Sequence, residues 1–148
     1  LADALHGFFA SFLEPLKHGD LVRLCMKLHF REHLEPTGLW DEHLAHGIRP
    51  LHDALLQVVC RHLGLARPDD DAQRLVVALS GLGVHLHVGY DINEQLAPGL
   101  MQGETAADLW RERLVSWGLA MVQAERQRRT DGPAGRASPA PAAAGGGG

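Results

Sequence analysis

Residues 69–89 read DDDAQRLVVALSGLGVHLHVG. Three aspartates precede a run whose apolar residues recur at helical spacing, and carboxylates suit the positive end of a helix dipole. The run carries two apolar stripes. One is Leu75, Leu79, Leu82 and Leu86; the other is Val77, Gly81, Val84 and Val88. A helix lying on a domain surface needs one stripe, whereas two stripes call for neighbours on two sides. Ser80, Gly81 and Gly83 lower the intrinsic helicity, each glycine by about 0.8–1 kcal/mol relative to alanine. Close approach of another helix would offset that cost. The spacing therefore predicts a helix over residues 71–89 with two packing partners. A homodimer supplies the second partner, because its interface resembles a core cut in half. The alternative is the central helix of a monomeric bundle.

The same periodicity continues outward on both sides. Upstream, Leu1, Leu5, Phe8, Phe12 and Leu16 mark one helical face, widened by Phe9 and Leu13, and Gly19 and Asp20 mark its stop. The next helix is expected over residues 20–34, with Leu21, Leu24, Cys25 and Leu28 on one face and Val22, Met26, His29, Phe30 and His33 on another. Pro36 ends it, because a proline pushes the residue before it out of helical geometry. Thr37 can cap a further helix running to about Leu63, with a kink or break at Pro50. Gly64 and Pro68 stop it. Downstream, residues 90–103 read as an irregular connection. Thr105 and Asp108 resemble a weak capping box for a last helix to about Arg128, whose stripe is Ala106, Trp110, Leu114, Trp117, Met121 and Ala124. The fold class is all-α, a bundle of five to six helices over residues 1–128. Residues 129–148 are rich in Ala, Gly and Pro and read as a disordered tail.

Composition narrows the function. The 148 residues are 45% hydrophobic and 22% charged, ordinary material for one globular domain. No apolar run approaches the roughly 18–20 residues of a membrane span. Residues 1–124 hold ten Lys and Arg against sixteen Asp and Glu, and the arginines gather at the end, in Arg126, Arg128, Arg129 and Arg136. A nucleic-acid binder needs a basic face to displace counterions from phosphates, so the body of this chain is not a self-contained DNA-binding module. Two cysteines cannot build a disulfide framework or a four-cysteine zinc site. Cys25 and Cys60 both lie in apolar helical patterns and read as buried free thiols, consistent with a cytoplasmic protein. The chain starts at Leu1, directly in a helical pattern and without the features of a signal peptide, and is expected to be the C-terminal part of a longer protein.

Several residues invite a chemical reading. His29 and His33 share a helix face, and His43 and His46 are three apart. A metal-binding or enzymatic helical bundle is thus the alternative function. Against it, the chain has no His-Glu-x-x-His and no Glu-x-x-His, the motif a di-iron bundle uses twice. Ser80 lies near His85 and His87 but in no Gly-x-Ser-x-Gly elbow. No catalytic, metal or cofactor site is assigned. Met26, His29, Phe30 and His33, with Trp40 and His43 beyond the turn, mix apolar bulk with a few polar tips. That is the chemistry of a small-molecule pocket, and equally of a core with histidines at its rim. Val77, Gly81, Val84 and Val88, with Trp110, Leu114, Trp117 and Met121, are the candidate dimer interface, where large aromatics are enriched.

The stretch His29-Phe30-Arg31-Glu32-His33-Leu34-Glu35-Pro36-Thr37-Gly38-Leu39-Trp40, followed by Ile48-Arg49-Pro50-Leu51-His52, resembles the C-terminal domain of TetR-family transcriptional regulators, in particular the CecR-like group. The run from Ala78 through His85 to Tyr90 and the last amphipathic helix, with Trp110 and Arg113, are similar too. The resemblance covers roughly residues 1–128, and its most specific part is the Arg-Glu-x-x-Glu-Pro-Thr segment. It implies a homodimer, commonly joined by a four-helix bundle of two helices from each subunit, here residues 71–89 and 105–127. It also implies a small-molecule effector and a repressor whose DNA contacts are made by an N-terminal helix-turn-helix domain, which these residues do not include.

Overall fold

The computed structural model describes residues 1–18, 24–26, 28–31, 35, 44–103 and 105–132. Every regular element among them is helical. The first is α1 (Ala2–Leu13), which tightens into a 3-10 turn over Glu14–His18. Pro15 accounts for the change, since it has no N–H to continue the α-helical ladder. Residues 24–26 and 28–31 are also helical. A π-helical turn, Leu44–Ile48, leads into α2 (Arg49–Leu63). The chain then forms α3 (Asp70–Val88), α4 (Tyr90–Leu96) and α5 (Ala106–Thr130).

Leu5, Phe9 and Leu13 on α1 are completely or almost completely buried. They pack with Leu55, Val59, Val76, Leu79, Leu114 and Val122 in one core. The α1 helix touches α2, α3 and α5 and is therefore the central strut of the chain. Two glycines make room for it. A Cβ on Gly83 of α3 would lie 2.7 Å from the Phe12 ring, and one on Gly118 of α5 would lie 3.3 Å from Leu5 and from Leu79. The helix-weakening glycine at 83 thus serves a close approach, as the sequence anticipates. Gly81 does not: among the described residues, nothing lies within 4 Å of where its Cβ would be.

The break expected at Pro50 is a change of helix type. The π-helical turn ends at Ile48 and Pro50 falls in the first turn of α2, so the helix type changes where proline removes a backbone N–H. Gly64 ends α2 in the left-handed conformation, at φ 72°. Other expectations need correction. Residues 90–103 are not wholly irregular: Gly89 lets the chain bend by 77° between α3 and α4, and α4 follows at once. Thr105 makes no capping hydrogen bond. Asp108 instead binds Lys17 at 3.0 Å and Arg111 at 2.6 Å, tying the turn after α1 to α5. Cys60 is buried, and burial pushes its thiol pKa up, but Cys25 is exposed. Leu24 and Leu28 beside it are exposed as well, so only the Met26–Phe30 face of that segment packs within the chain.

On α5 the buried positions are Ala106, Ala107, Leu114, Gly118 and Val122. The core face is thus rotated by about one residue from the predicted stripe. Leu5 packs at Gly118, so small residues line that contact and Trp117 is displaced to its flank. The helix runs to Thr130, two residues past the expected end, and a clasp holds it there. Arg129 donates to both Asp69 oxygens, at 2.6 and 2.9 Å, and Arg128 donates to Asp71 at 2.6 Å. Glu125 accepts from both arginines. Asp69 also caps α3 by accepting the Ala72 N–H at 2.8 Å. The terminal arginines are therefore partly neutralised within the chain.

The Arg129 guanidinium, and then the Ala72 N–H, hold the Asp69 carboxyl well below the usual carboxylate range. A depressed pKa contributes stability above the unfolded value, about 3.9, that is lost as pH falls toward the folded value. Asp69→Ala is expected to lower the melting temperature at pH 7, with a deficit that narrows as pH falls below about 4. Circular-dichroism melts across pH check this; equal melting temperatures at pH 7 would contradict the clasp.

Candidate functional site

A cavity of about 440 Å³ lies where α1, the helical residues 24–26 and 28–31, the π-helical turn, α2 and α3 meet. From α1 it is lined by Phe8, Ser11 and Phe12, and from α3 by Val77, Ser80 and Val84. Gly47 and Ile48 of the π-helical turn and Leu51 and His52 of α2 form another wall. Met26, His29 and Phe30 form the remaining one. Irregular helical turns of this kind occur often at functional sites. Phe8 and Leu51 also line a second cavity of about 210 Å³, bounded further by Asp3, Ala4, Gly7, Ala54, Leu55 and Val58. These two side chains are a partition shared by both spaces.

Three of the six pocket residues predicted from sequence, Met26, His29 and Phe30, thus come together on one wall. The other three, His33, Trp40 and His43, lie outside the described residues. Sequence reasoning missed the walls given by α1, α2 and α3. Phe8 and Phe12 do stand on the apolar stripe of α1, but a stripe reads the same whether it faces a filled core or a space. Ser80 was legible only as one of several small residues.

The polar groups around the cavity are mostly engaged with the chain. Ser11 Oγ donates to the Phe8 carbonyl at 2.6 Å and Ser80 Oγ to the Val76 carbonyl at 2.9 Å. Such back-bonds suit packing serines and leave Ser80 without a nucleophile's arrangement. His52 Nε2 lies 3.1 Å from Gln73 Oε1. Among the described residues, no three His, Cys, Asp or Glu side chains converge to hold a metal ion.

Behind the wall stands His87, buried on α3. Its Nε2 is 2.6 Å from the Phe12 carbonyl oxygen and donates to it. That carbonyl belongs to the last turn of α1, where helical partners run out. The imidazole also stacks on Phe30, with ring centroids 5.3 Å apart and an interplanar angle of 29°. His87 thus holds both Phe12 and Phe30, two aromatic residues of the cavity wall. Burial pushes its pKa down, against a smaller raising effect from the Phe12 carbonyl.

The residues expected at a dimer interface divide into two groups. Val77 (61% exposed), Val88 (59%) and Trp117 (47%) face solvent, and Gly81 is open. Leu114 is 1% exposed and belongs to the core of its own chain, so it offers no surface to a partner. Met121 packs partly against that core, and Val84 faces the cavity. Trp110 is half-buried; its indole N–H donates to the Leu100 carbonyl at 3.1 Å, and its ring meets Trp117 edge to face.

Residues 1–124 match the family described as HTH-type transcriptional dual regulator CecR, C-terminal domain. The chain belongs to this family. Its all-α architecture is consistent with the helical C-terminal domain of a TetR-family regulator. No curated protein and no solved structure matches the chain in the corresponding comparisons. The match stops before the clasp residues Glu125, Arg128 and Arg129, so the pairing that fastens α5 to α3 through those residues lies beyond the matched region of this CecR-type domain.

Because the folded domain holds His87 neutral, its contribution is complete above the unfolded histidine pKa, about 6.5, and is lost as pH falls below it. His87→Phe is expected to lower the melting temperature at pH 7.5 and to flatten its decline as pH falls below about 6.5. An unchanged slope in thermal melts would show that other histidines carry the acid sensitivity.

Proposed function

We propose that this chain is the effector-sensing and homodimerisation part of a TetR-family regulator, controlling DNA binding by a helix-turn-helix domain that lies outside these residues. The observation that carries the reading is the cavity of about 440 Å³, within the usual size range of small-molecule sites and walled mainly by apolar side chains. Its walls come from separate elements, so a molecule inside would touch α1, α2 and α3 at once. Such a molecule favours whichever arrangement of these helices it fits best, and the shift in population is the signal. In the dimer, that arrangement sets the distance between two DNA-binding heads, which must match half-sites about 34–36 Å apart. The change from π-helical to α-helical geometry before Pro50 is a natural place for the two arrangements to differ.

Homodimerisation draws its support from surface chemistry. Val77, Val88, Ile92, Leu96, Leu100, Leu109 and Trp117 are each about half exposed or more. A partner subunit would remove such side chains from water, which is favourable in proportion to the apolar area covered. No single described helix is long and apolar enough to cross a membrane. The role is regulatory rather than enzymatic, with a cytoplasmic setting and a repressor's logic.

A thermal-stability screen of the 148-residue chain against small apolar compounds is expected to find molecules that raise its melting temperature. A ligand at 100 times its dissociation constant adds about 2.7 kcal/mol. Leu51→Trp, which fills the space, should abolish the shift while the variant still unfolds cooperatively; a shift that persists would place the ligand elsewhere. Light scattering should give a mass near twice 16.1 kDa, and Val88→Glu should bring it to the monomer value. A native chain that stays monomeric at tens of micromolar would refute the dimer.

A further inference from the structure

The side of each polar group that remains available in the cavity is informative. A serine hydroxyl has one proton and two lone pairs. Ser11 and Ser80 have each committed that proton to a carbonyl of their own helix, Phe8 and Val76 respectively. What they offer a guest is therefore lone pairs. At His52 the partner is the Gln73 amide oxygen, an acceptor, so the Nε2 proton is committed to it. No Lys, Arg, Asp or Glu is among the described residues that line the cavity. His29 is the remaining polar side chain of the described lining; the other side chains are apolar, with the rings of Phe8, Phe12 and Phe30 contributed by two different segments.

From this geometry we propose that the cavity selects an apolar, ring-containing molecule bearing a hydroxyl or N–H donor, and discriminates against carboxylates and phosphates. The inference rests on the reading of this cavity as the effector site and adds the chemical class of the effector. A donor on the guest pairs with the lone pairs of Ser11 and Ser80. A carboxylate or phosphate meets those same lone pairs. It has no lysine or arginine to face among the described lining residues, and it loses its hydration on entry. Burying an ionised group without a partner is far more costly than burying a neutral one.

Three molecules sharing one skeleton test this on the 148-residue chain by titration calorimetry: naphthalene, 2-naphthol and 2-naphthoate. The expected order is 2-naphthol tightest, about three- to tenfold above naphthalene, as one neutral hydrogen bond allows. The expected affinity for 2-naphthoate is at least about tenfold below that for 2-naphthol. The Ser11→Ala, Ser80→Ala double variant should bind 2-naphthol no better than it binds naphthalene. Equal or tighter binding of 2-naphthoate, or an advantage for 2-naphthol that survives the double variant, would overturn the donor selectivity while leaving the effector site standing. Binding by none of the three would overturn the effector reading of the cavity itself, and this inference with it.

Discussion

The close approach of α1 to the helices around it is the constraint on which the other features depend. It is possible because α3 and α5 present glycines where α1 crosses them. The Phe12 ring lies where a side chain at position 83 would begin, and Leu5 lies against position 118. A residue as small as alanine at either site would have to displace packed rings or branched side chains, and interiors packed like crystals do not yield cheaply. Phe9, wholly buried on the same helix, illustrates the scale. Removing a buried phenylalanine costs about 3–5 kcal/mol, against total stabilities of about 5–15 kcal/mol for a domain.

The seat of α1 also creates the cavity. Leu5, Phe9 and Leu13 lie in the core, while Phe8, buried in the same cluster, and Phe12 beside it also line the space against α2 and α3. His87 connects the two environments. It reaches from the core side of α3 to the Phe12 carbonyl and the Phe30 ring, so that the wall of a binding space is fastened by a buried hydrogen bond and a stacked ring. A molecule that moved Phe12 or Phe30 would act on this joint, and through it on α1 and α3 together. The charged clusters lie at the periphery. One holds the turn after α1 to the start of α5, and the other holds the end of α5 to the start of α3. Exposed ion pairs contribute little individually, but the second is bidentate and shares its aspartate with a helix cap, which adds geometric specificity.

Much of the architecture was legible from residue order. The caps and stops at Asp69, Pro50 and Gly64 are set by local backbone chemistry and need no tertiary knowledge. The apolar repeat identified α1, α2, α3 and α5 as helices, and the motif around His29–Trp40 pointed to the family. The errors have a common cause. Trp117 outweighs Gly118 in any reading based on hydrophobicity, yet close packing selects the smaller side chain. The capping box at Thr105 failed because Asp108 had better partners, Lys17 and Arg111, the first 91 positions away. Cys25 belongs to an apolar pattern whose covering surface is not present in the described chain.

The sequence by itself determined that α1, α2, α3 and α5 are helical, though not α4, that the body is acidic, and that Met26, His29 and Phe30 share a face, because these follow from local propensity, charge count and the 3.6-residue repeat. Tertiary structure alone decided that this face looks into a space, that the space is completed by Phe8, Leu51 and Val84, and that Leu114 is core while Val77 and Trp117 are surface. A helical repeat specifies the direction of a side chain around its own axis. Whether another helix, a cavity or solvent lies in that direction depends on how closely two helices approach, and here on glycines in segments remote from the side chains they position.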